Sequence, residues 1–552
     1  MKLKIFFFLG LLCSLKLLAQ DIPFRLMHTN DLHSHLEGSW KINQAGTPIR
    51  MGHYARLIYE IDQRRQEAKQ KSQATILVDA GDFFAGTIFH TLAPWDKVTE
   101  FPEWEYFSRA GYDAVILGNH EFDPGNRGFS VMLSKIDGGP KLISTNIVLP
   151  KEFDGTKILK SAIKEISYQS HKINVGILGI LPPDGCLVSK ASRENIRFVG
   201  FEDSTSKAKW SELEELLANE IQKLKKQAQV VILVMHGGNP EDERLASNLK
   251  DVDFIIAGHT HRVYGHTVSG VPISQAGDFG SHLGSIDLSY SLKEKKLRVL
   301  SPEADWIQPI FSNGAKDPEF EKRIDHFKKL AKLRFGARVA NFEQILFTPT
   351  QNYLRAREVN NQLGVFVTSH IRQSLNTKIK DPVDIYFTSM GLIRSSFIKD
   401  IPYSFPDLFE MLSVGFAADG SPGAEISIFK LTPNDIEKVI GFMELYSNFS
   451  NSFAPAFSDS LSFKVRKWGI PFINRIYDIK VHGVDLDEMD QPITVATNMI
   501  VAKNVDMVTQ KTYGLVSITP LGSDLKPKVP IATTLPKEFE LLSDAFLEFK
   551  TP

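Results

Sequence analysis

Cysteine is scarce in this chain, with two residues in 552. Cys13 lies in an apolar N-terminal stretch that has the pattern of a secretory signal, so only Cys186 is expected in the mature protein. A single thiol excludes an intramolecular disulfide and a multi-cysteine metal site. Neither sign of charge is in clear excess, because the chain has 64 Lys and Arg and 65 Asp and Glu. The charge total therefore gives no indication of nucleic acid or an anionic membrane surface as a partner.

The first residues are predicted to be a signal peptide, residues 1–19. Lys2 and Lys4 precede an apolar core at residues 5–15, which is shorter than the ~20 residues that a membrane span needs. A lipid anchor on Cys13 is an alternative, but leucines precede it where such anchors need small residues. We expect a periplasmic or secreted protein with no stable membrane anchor.

Several other features are missing. We find no internal repeat, heptad run or low-complexity tract, no Walker-type phosphate loop and no serine-centred nucleophile elbow. Core material is ample, because apolar residues make up 43% of the chain and Phe alone contributes 38 residues. The length exceeds the roughly 250–300 residues at which single cores stop growing, so more than one domain is expected.

The first half of the chain alternates short apolar runs with helix-like stretches such as Gly52 to Gln70 and Lys207 to Gln227. The runs are rich in Val, Ile and Leu, which predicts an α/β domain with buried, largely parallel strands. These runs are Phe24 to His28, Thr75 to Asp79, Ala114 to Leu117, Leu142 to Thr145, Asn174 to Ile180, Val230 to Met235 and Phe254 to Ala257.

The pattern changes near residue 301. A charged amphipathic segment follows, with Phe320, Ile324, Phe327 and Leu330 spaced for one helical face. We predict a domain at residues 20–315 and a bridging helix or linker at 316–340. A separate α/β domain is predicted at 341–552, which is an ordinary domain size.

Metal-binding side chains follow five of the apolar runs. The carboxyl ends of strands in an open α/β sheet share one edge, where active sites lie. Oxygen and nitrogen ligands without thiolate suit two divalent ions such as Mn, Zn, Co or Fe. Two ions roughly 3.5–4 Å apart can share a water and lower its pKa towards about 7, which produces a bridging hydroxide. The predicted ligands are Asp31, His33, Asp82, Asn119, His236, His259 and His261.

Three residues, Asp82, His120 and Asp123, complete this prediction and extend it from metal binding to catalysis. Asp82 follows Gly81 and is the candidate bridging carboxylate, because a glycine lets the backbone approach the metals closely. Within Gly118-Asn119-His120-Glu121-Phe122-Asp123, Asn119 can bind metal while His120 faces the phosphate and Asp123 holds its other ring nitrogen. The pattern indicates a phosphoester hydrolysis site.

These segments resemble the metallophosphoesterase motifs of the bacterial and animal 5'-nucleotidase family, in order and over most of the mature chain. The resemblance implies a four-layer α/β/β/α first domain, a nucleoside-binding second domain and domain rotation during turnover. It also implies a catalytic pair, His120 and Asp123. One ion would be held by Asp31, His33, Asp82 and His261, and the other by Asp82, Asn119, His236 and His259.

The second domain resembles the family less closely. Arg357 and Arg394 match arginines that could grip a phosphate or ribose. The family's two base-stacking rings are not matched in place, although Phe416 lies two residues from the position of one of them and Tyr513 is another candidate. Base stacking contributes ~1–3 kcal/mol per base in single-stranded nucleic acid complexes. Because the matching rings are not in place, the sequence determines the reaction chemistry better than it determines the substrate.

The sequence therefore predicts an exported metal-dependent phosphoric monoester hydrolase that acts on a small-molecule phosphoester, with nucleotides as the leading class. Hydrolysis of a UDP-sugar or a 2',3'-cyclic nucleotide is compatible with the same metals. A thiosulfohydrolase-like enzyme and a non-catalytic exported binding protein are the remaining alternatives.

Overall fold

The computed structural model describes residues 21–153, 157–336, 342–356, 358, 361–447, 454–470, 475–503, 508 and 516–549. The predicted signal peptide lies outside these residues. Among the residues described, no helix combines the length and the apolar composition needed to cross a membrane.

Two sheets form the centre of the first domain, and most of their inner strands are parallel. The first sheet runs, in spatial order, through Lys296–Val299, His282–Ser291, Asp21–Thr29, Ala74–Asp79, Ala114–Ile116, Lys141–Ile143 and Ile158–Leu159, with Ile307–Pro309 also paired to His282–Ser291. The second sheet runs through Val263–Val268, Val271–Ala276, Phe254–Ala257, Val230–Met235, His171–Ile180 and Ser161–Tyr168.

The strand Val230–Met235 shows why the sheets stack as layers. All six of its side chains are buried, and successive side chains of a strand point to opposite faces. Val230 and Ile232 pack in the cluster between the two sheets, while Val231 and Leu233 pack in a cluster with the outer helices. Such a strand must be covered on both faces, which is typical of parallel sheets.

Helices cover the outer face of each sheet and complete a four-layer α/β/β/α arrangement, as predicted. The helices of this domain are Tyr54–Gln70, Pro102–Ala110, Gly125–Lys135, Pro183–Ser189, Trp210–Lys225 and Asn239–Asn248, with 3₁₀ turns at Ile88–Thr91, His120–Phe122 and Glu303–Asp305. Short paired strands are Ser39–Ile42 with Pro48–Met51, Ile147–Val148 with Arg197–Phe198, and Phe201–Glu202 with Lys207–Ala208.

The helix Pro318–Phe335 lies at the predicted bridge. Asp317 caps its start by accepting a hydrogen bond from the Phe320 amide, and Phe320 and Phe327 are buried. At its last turn Phe335 contacts Phe405 of the second domain, with ring centroids 5.4 Å apart. The helix therefore contacts both domains, while the predicted domain limits stay a prediction.

The second domain is also mixed α/β. Its main sheet runs through Ile426–Leu431, Ile493–Asn498, Ile385–Ser389 and Pro455–Phe457, and a smaller one through Leu461–Val465, Ile476–Val481 and Val484–Asp485. Its helices are Gln362–Asn376, Phe405–Met411, Pro433–Ser447, Met499–Ala502 and Glu538–Glu548, with a 3₁₀ turn at Leu486–Glu488.

Candidate metal centre

All seven predicted ligands lie at one edge of the first domain, on loops that follow strands of both sheets. Six of them form two groups of potential ligand atoms, Asp31 with His33 and His261, and Asp82 with His236 and His259. A third group joins His33 and Asp82 to His120. Asn119 is adjacent to His120 in the same loop, so the fold places the seven residues in one cluster.

The backbone of this cluster is strained. Asp31, His33, Asp82, His259 and His261 all have positive φ angles, between 47° and 75°. Non-glycine residues rarely adopt this region, and such strain persists only where the surrounding structure enforces it. Five of seven predicted ligands in this conformation indicate loops shaped for a site.

Glycines beside the ligands allow the loops to approach one another. A Cβ atom on Gly118 would lie 2.2 Å from Oδ1 of Asp82, and one on Gly258 would lie 2.8 Å from Nδ1 of His236. Gly81 has φ +84°, and a Cβ atom there would lie 2.6 Å from the Gly118 amide nitrogen. Any side chain at these positions would displace a predicted ligand or its loop.

The first group converges on a small volume. Nε2 of His33 lies 3.1 Å from Nε2 of His261, and 3.9 Å from Oδ1 of Asp31. His261 Nε2 is 3.4 Å from the same Asp31 oxygen. Nδ1 of His33 donates a hydrogen bond to the Ala85 carbonyl at 2.8 Å, which leaves Nε2 for an ion.

The second group has a similar arrangement. Nδ1 of His236 donates to the Ala80 carbonyl at 2.7 Å, and its Nε2 lies 2.9 Å from Oδ2 of Asp82. Oδ1 of Asn119 is buried with no hydrogen-bond partner among the residues that the structure describes. A buried amide oxygen without a partner is costly, and a cation would satisfy it.

The electrostatics of the cluster favour cations. Burial would raise the pKa of Asp82, but His236 and His120 outweigh it and lower that pKa well below the usual value. Burial opposes the charge on His236 as well, yet Asp82 and Asp31 raise its pKa to about 10. The buried, ionised Asp82 carboxylate, together with the unsatisfied Asn119 oxygen, fits divalent ions.

Glu121 is buried and ties two loops together, although the sequence analysis gave it no role. Its carboxylate accepts hydrogen bonds from the amides of Gly118 at 2.6 Å, Phe84 at 3.0 Å and Asp82 at 3.2 Å. It therefore holds the loop of Asp82 against the loop of Asn119. Its place within the Asn-His-Glu motif was the available signal.

The predicted catalytic pair is in contact. Nδ1 of His120 lies 2.7 Å from Oδ2 of Asp123, and His120 is largely buried beside the cluster, its ring centroid 5.1 Å from that of His33. Nδ1 donates to the carboxylate in this arrangement, which leaves Nε2 to act on a substrate.

The second domain contributes Arg394 to the same region. The Arg394 guanidinium interacts electrostatically with Asp82, Asp123 and Asp31, and it lines a cleft of about 150 Å³ together with His261. The other lining residues of this cleft are Ser39, Trp40, Lys41, Asp278, Phe279, Arg355, Ser395, Ser396 and Glu410.

Two other predicted substrate residues have different outcomes. Arg357 lies outside the described residues, as does Tyr513. Phe416 lies at the domain interface, where its ring stacks on Phe84 at 6.1 Å between centroids and contacts His90. It does not line the described cleft, so its role in base stacking stays a prediction.

The remaining histidines near the first motif have other partners. His28 is buried with Nε2 2.9 Å from Ser274 Oγ, and His53 Nε2 lies 2.9 Å from Lys316 Nζ. His35 stacks on Phe279 with centroids 3.8 Å apart. None of the three belongs to a ligand group among the described residues.

Comparison with known proteins agrees with this geometry. Residues 24–263, which include all seven predicted ligands, match the calcineurin-like phosphoesterase family. The chain is 25% identical to the trifunctional nucleotide phosphoesterase protein YfkN of Bacillus subtilis over 408 residues, which cover 68% of this chain and 25% of YfkN. It is 26% identical to a 5'-nucleotidase-related protein of Glossina morsitans morsitans over 462 residues, 77% of each chain. The fold is similar to that of the 5'-nucleotidase precursor of Thermus thermophilus, with a TM-score of 0.72, 18% identity and coverage of 96% and 97%.

The match over residues 24–263 and the 5'-nucleotidase relatives support the 5'-nucleotidase family of calcineurin-like phosphoesterases for this chain. The phosphoesterase match and the 5'-nucleotidase relatives support a phosphoric monoester hydrolase, and calcineurin-like phosphoesterases use divalent metals. The chain spans a quarter of YfkN and about three quarters of the Glossina protein, so its own substrate and partners are matters for proposal.

Proposed function

We propose that this chain is an exported, metal-dependent phosphoester hydrolase of the 5'-nucleotidase type. The observation that carries the proposal is the contact between His120 and Asp123 beside the clustered ligands, because a purely structural metal site has no use for such a pair. Arg394 faces this cluster from the second domain and adds a positive group suited to a phosphate.

Asp31, His33, Asp82 and His261 would hold one divalent ion. Asp82, Asn119, His236 and His259 would hold the second. When bound, the ions supply a water of lowered pKa and neutralise the charge of phosphate oxygens. The donor set accommodates Mn, Zn, Co or Fe.

The chain's own side chains perform the remaining work. Asp123 orients His120 by its contact with Nδ1, so that Nε2 can donate a proton to the leaving oxygen. Arg394, which faces the cluster from the second domain, would hold the phosphate by charge-assisted hydrogen bonds. Residues of both domains line the cleft beside His261, so a substrate bound there would contact both.

The substrate in this proposal is a nucleotide, from which the enzyme releases phosphate. The names of its relatives, which include a nucleotide phosphoesterase, support this class. We also propose that residues 1–19 direct export to the periplasm or outside the cell; the N-terminal sequence of the secreted chain would test this.

A substrate panel tests the function. The mature chain would be assayed for phosphate release from nucleoside monophosphates, UDP-glucose, a 2',3'-cyclic nucleotide and an aryl phosphate, with Mn, Zn or chelator added. We expect metal-dependent release that favours nucleotides over the aryl ester, and its loss in His120→Ala with metal content unchanged. Release from the aryl ester alone would refute the nucleotide assignment. No release from any phosphoester despite full metal loading would favour the thiosulfohydrolase or the binding protein.

A further inference from the structure

Two carboxylates outside the predicted ligand set contact the two histidines of the loop Gly258-His259-Thr260-His261. Oδ2 of Asp278 lies 3.4 Å from Nδ1 of His261, and Oδ2 of Asp184 lies 3.2 Å from Nε2 of His259. Asp278 follows the strand Val271–Ala276, whereas Asp184 belongs to the helix Pro183–Ser189. Each histidine therefore meets its own carboxylate, through a different ring nitrogen.

Each carboxylate contacts one ring nitrogen of its histidine, and the other ring nitrogen is then the one that can bind a metal. An imidazole that binds a metal through one nitrogen usually donates its other N–H to a carboxylate or carbonyl, which sets the tautomer and the ring orientation. Because Asp278 faces Nδ1 of His261, Nε2 is left, and this atom lies 3.4 Å from Oδ1 of Asp31. Because Asp184 faces Nε2 of His259, Nδ1 is left for the group that contains Asp82.

We propose that Asp278 and Asp184 are positioning residues that assign opposite ring nitrogens of His261 and His259 to the two metal groups. The loop has positive φ at both histidines, so the two imidazoles would not be oriented by regular secondary structure. This role presupposes the metal centre of the proposed function, and it adds how one short loop serves both halves of that centre.

Asp278 is held more firmly than Asp184. Nζ of Lys41 donates to both Asp278 oxygens, at 2.8 and 2.9 Å, and lies 4.5 Å from the centroid of the Phe279 ring. The Phe279 amide in turn donates to the Asp31 carbonyl at 2.7 Å, which joins this assembly to the first metal group. The Asp184 side chain is 55% exposed, so water can partly replace it. Loss of Asp278 should therefore have the larger effect.

Metal binding in the absence of substrate tests the proposal. Chelator-treated full-length mature chain would be titrated with Mn, Zn or Co by calorimetry, with ions counted by mass spectrometry. We expect Asp278→Asn to weaken one ion about 10- to 100-fold, as is usual when an outer carboxylate partner is lost, and to leave the other within about twofold. Asp184→Asn should weaken the other ion by a smaller factor.

The control is Asp287→Asn. Asp287 is also a half-buried, ion-paired carboxylate, bonded to Arg25 at 2.7 Å and to Lys71 at 3.1 Å, but it contacts no predicted ligand. Its loss should leave both affinities unchanged. If Asp278→Asn destabilises the fold, Asp184→Asn still decides the matter, because its exposed side chain carries little folding energy.

Three results would overturn the proposal: unchanged metal affinity in both variants, equal loss of both ions in each, or a wild-type chain that binds no ion. A different result would refute the proposed function alone. A chain that binds two ions with the expected variant pattern but hydrolyses no phosphoester would refute the function and retain the positioning roles.

Discussion

Gly118 offers a sharp test of the site because its substitution adds one methyl group directly against the candidate bridging carboxylate. A Cβ atom there would lie 2.2 Å from Oδ1, 2.5 Å from the amide nitrogen and 2.9 Å from Cγ of Asp82. Ordinary contact begins near 3.4 Å, so the carboxylate must move by about 1 Å or more. The φ angle of Gly118 lies outside the left-handed region, so alanine adds no backbone strain and the effect is steric.

The expected magnitude for Gly118→Ala follows from this displacement. Overpacking of this kind lowers the free energy of unfolding by about 1–3 kcal/mol. A shift of about 1 Å at a reacting centre lowers turnover by about 100-fold, and we expect weaker metal binding as well. Phosphate release, metal content by mass spectrometry and urea unfolding would be measured on the same preparations.

Gly238→Ala is the matched control. Gly238 has φ −75°, and its Cβ atom would have no neighbour closer than 3.7 Å. It should keep metal content and turnover, apart from a small stability loss at a helix N-cap. A Gly118→Ala enzyme with unchanged metal content and turnover would refute the close approach of these loops and with it the geometry of the site.

Three further changes test other parts of the account. His120→Ala should lower kcat about 100- to 10,000-fold with metal content unchanged, measured by phosphate release, and full turnover would remove the acid role. Arg394→Ala should raise KM roughly 10- to 100-fold, the equivalent of about 1.5–3 kcal/mol for a charge-assisted hydrogen bond, without loss of metal; an unchanged KM would exclude Arg394 from the pocket. Burial lowers the pKa of His28 to about 3, so the unfolded state binds its proton first and the free energy of unfolding should fall as pH drops from 6.5, by up to about 1.4 kcal/mol per unit. Urea unfolding of His28→Gln should show a shallower pH dependence than wild type, and an equal slope would contradict the buried neutral state.

Much of the fold could be predicted because the strands are visible in the local sequence. Val230–Met235 and Phe254–Ala257 begin and end where the apolar runs do, since both faces of each strand are buried. The helix predicted over 52–70 begins instead at Tyr54, because His53 has φ +91° and cannot be helical. The ends of helices could not be predicted as well as their presence, because the ends depend on backbone angles that composition does not reveal.

The candidate site could also be predicted from the sequence only in part. His259 and His261 could be found because they follow a strand within a glycine-flanked loop. Asp278 could not, because it is 17 residues from His261 and contacts it only after the hairpin has formed. Lys41, which pairs with Asp278, is more distant still in the sequence. The sequence alone did not place Phe416, whose ring packs on Phe84 outside the described cleft, so its role in base stacking stays a prediction.

We propose that the clustered loops hold two ions through a shared Asp82 and hydrolyse a phosphoester with them. The most direct measurement is the number of bound metal ions per chain, taken together with phosphate release, for wild type and Asp82→Asn. The account predicts two ions in the wild type, and loss of both metal occupancy and turnover in the variant. An Asp82→Asn chain with wild-type metal content and turnover, or wild-type turnover that chelator does not affect, would contradict it.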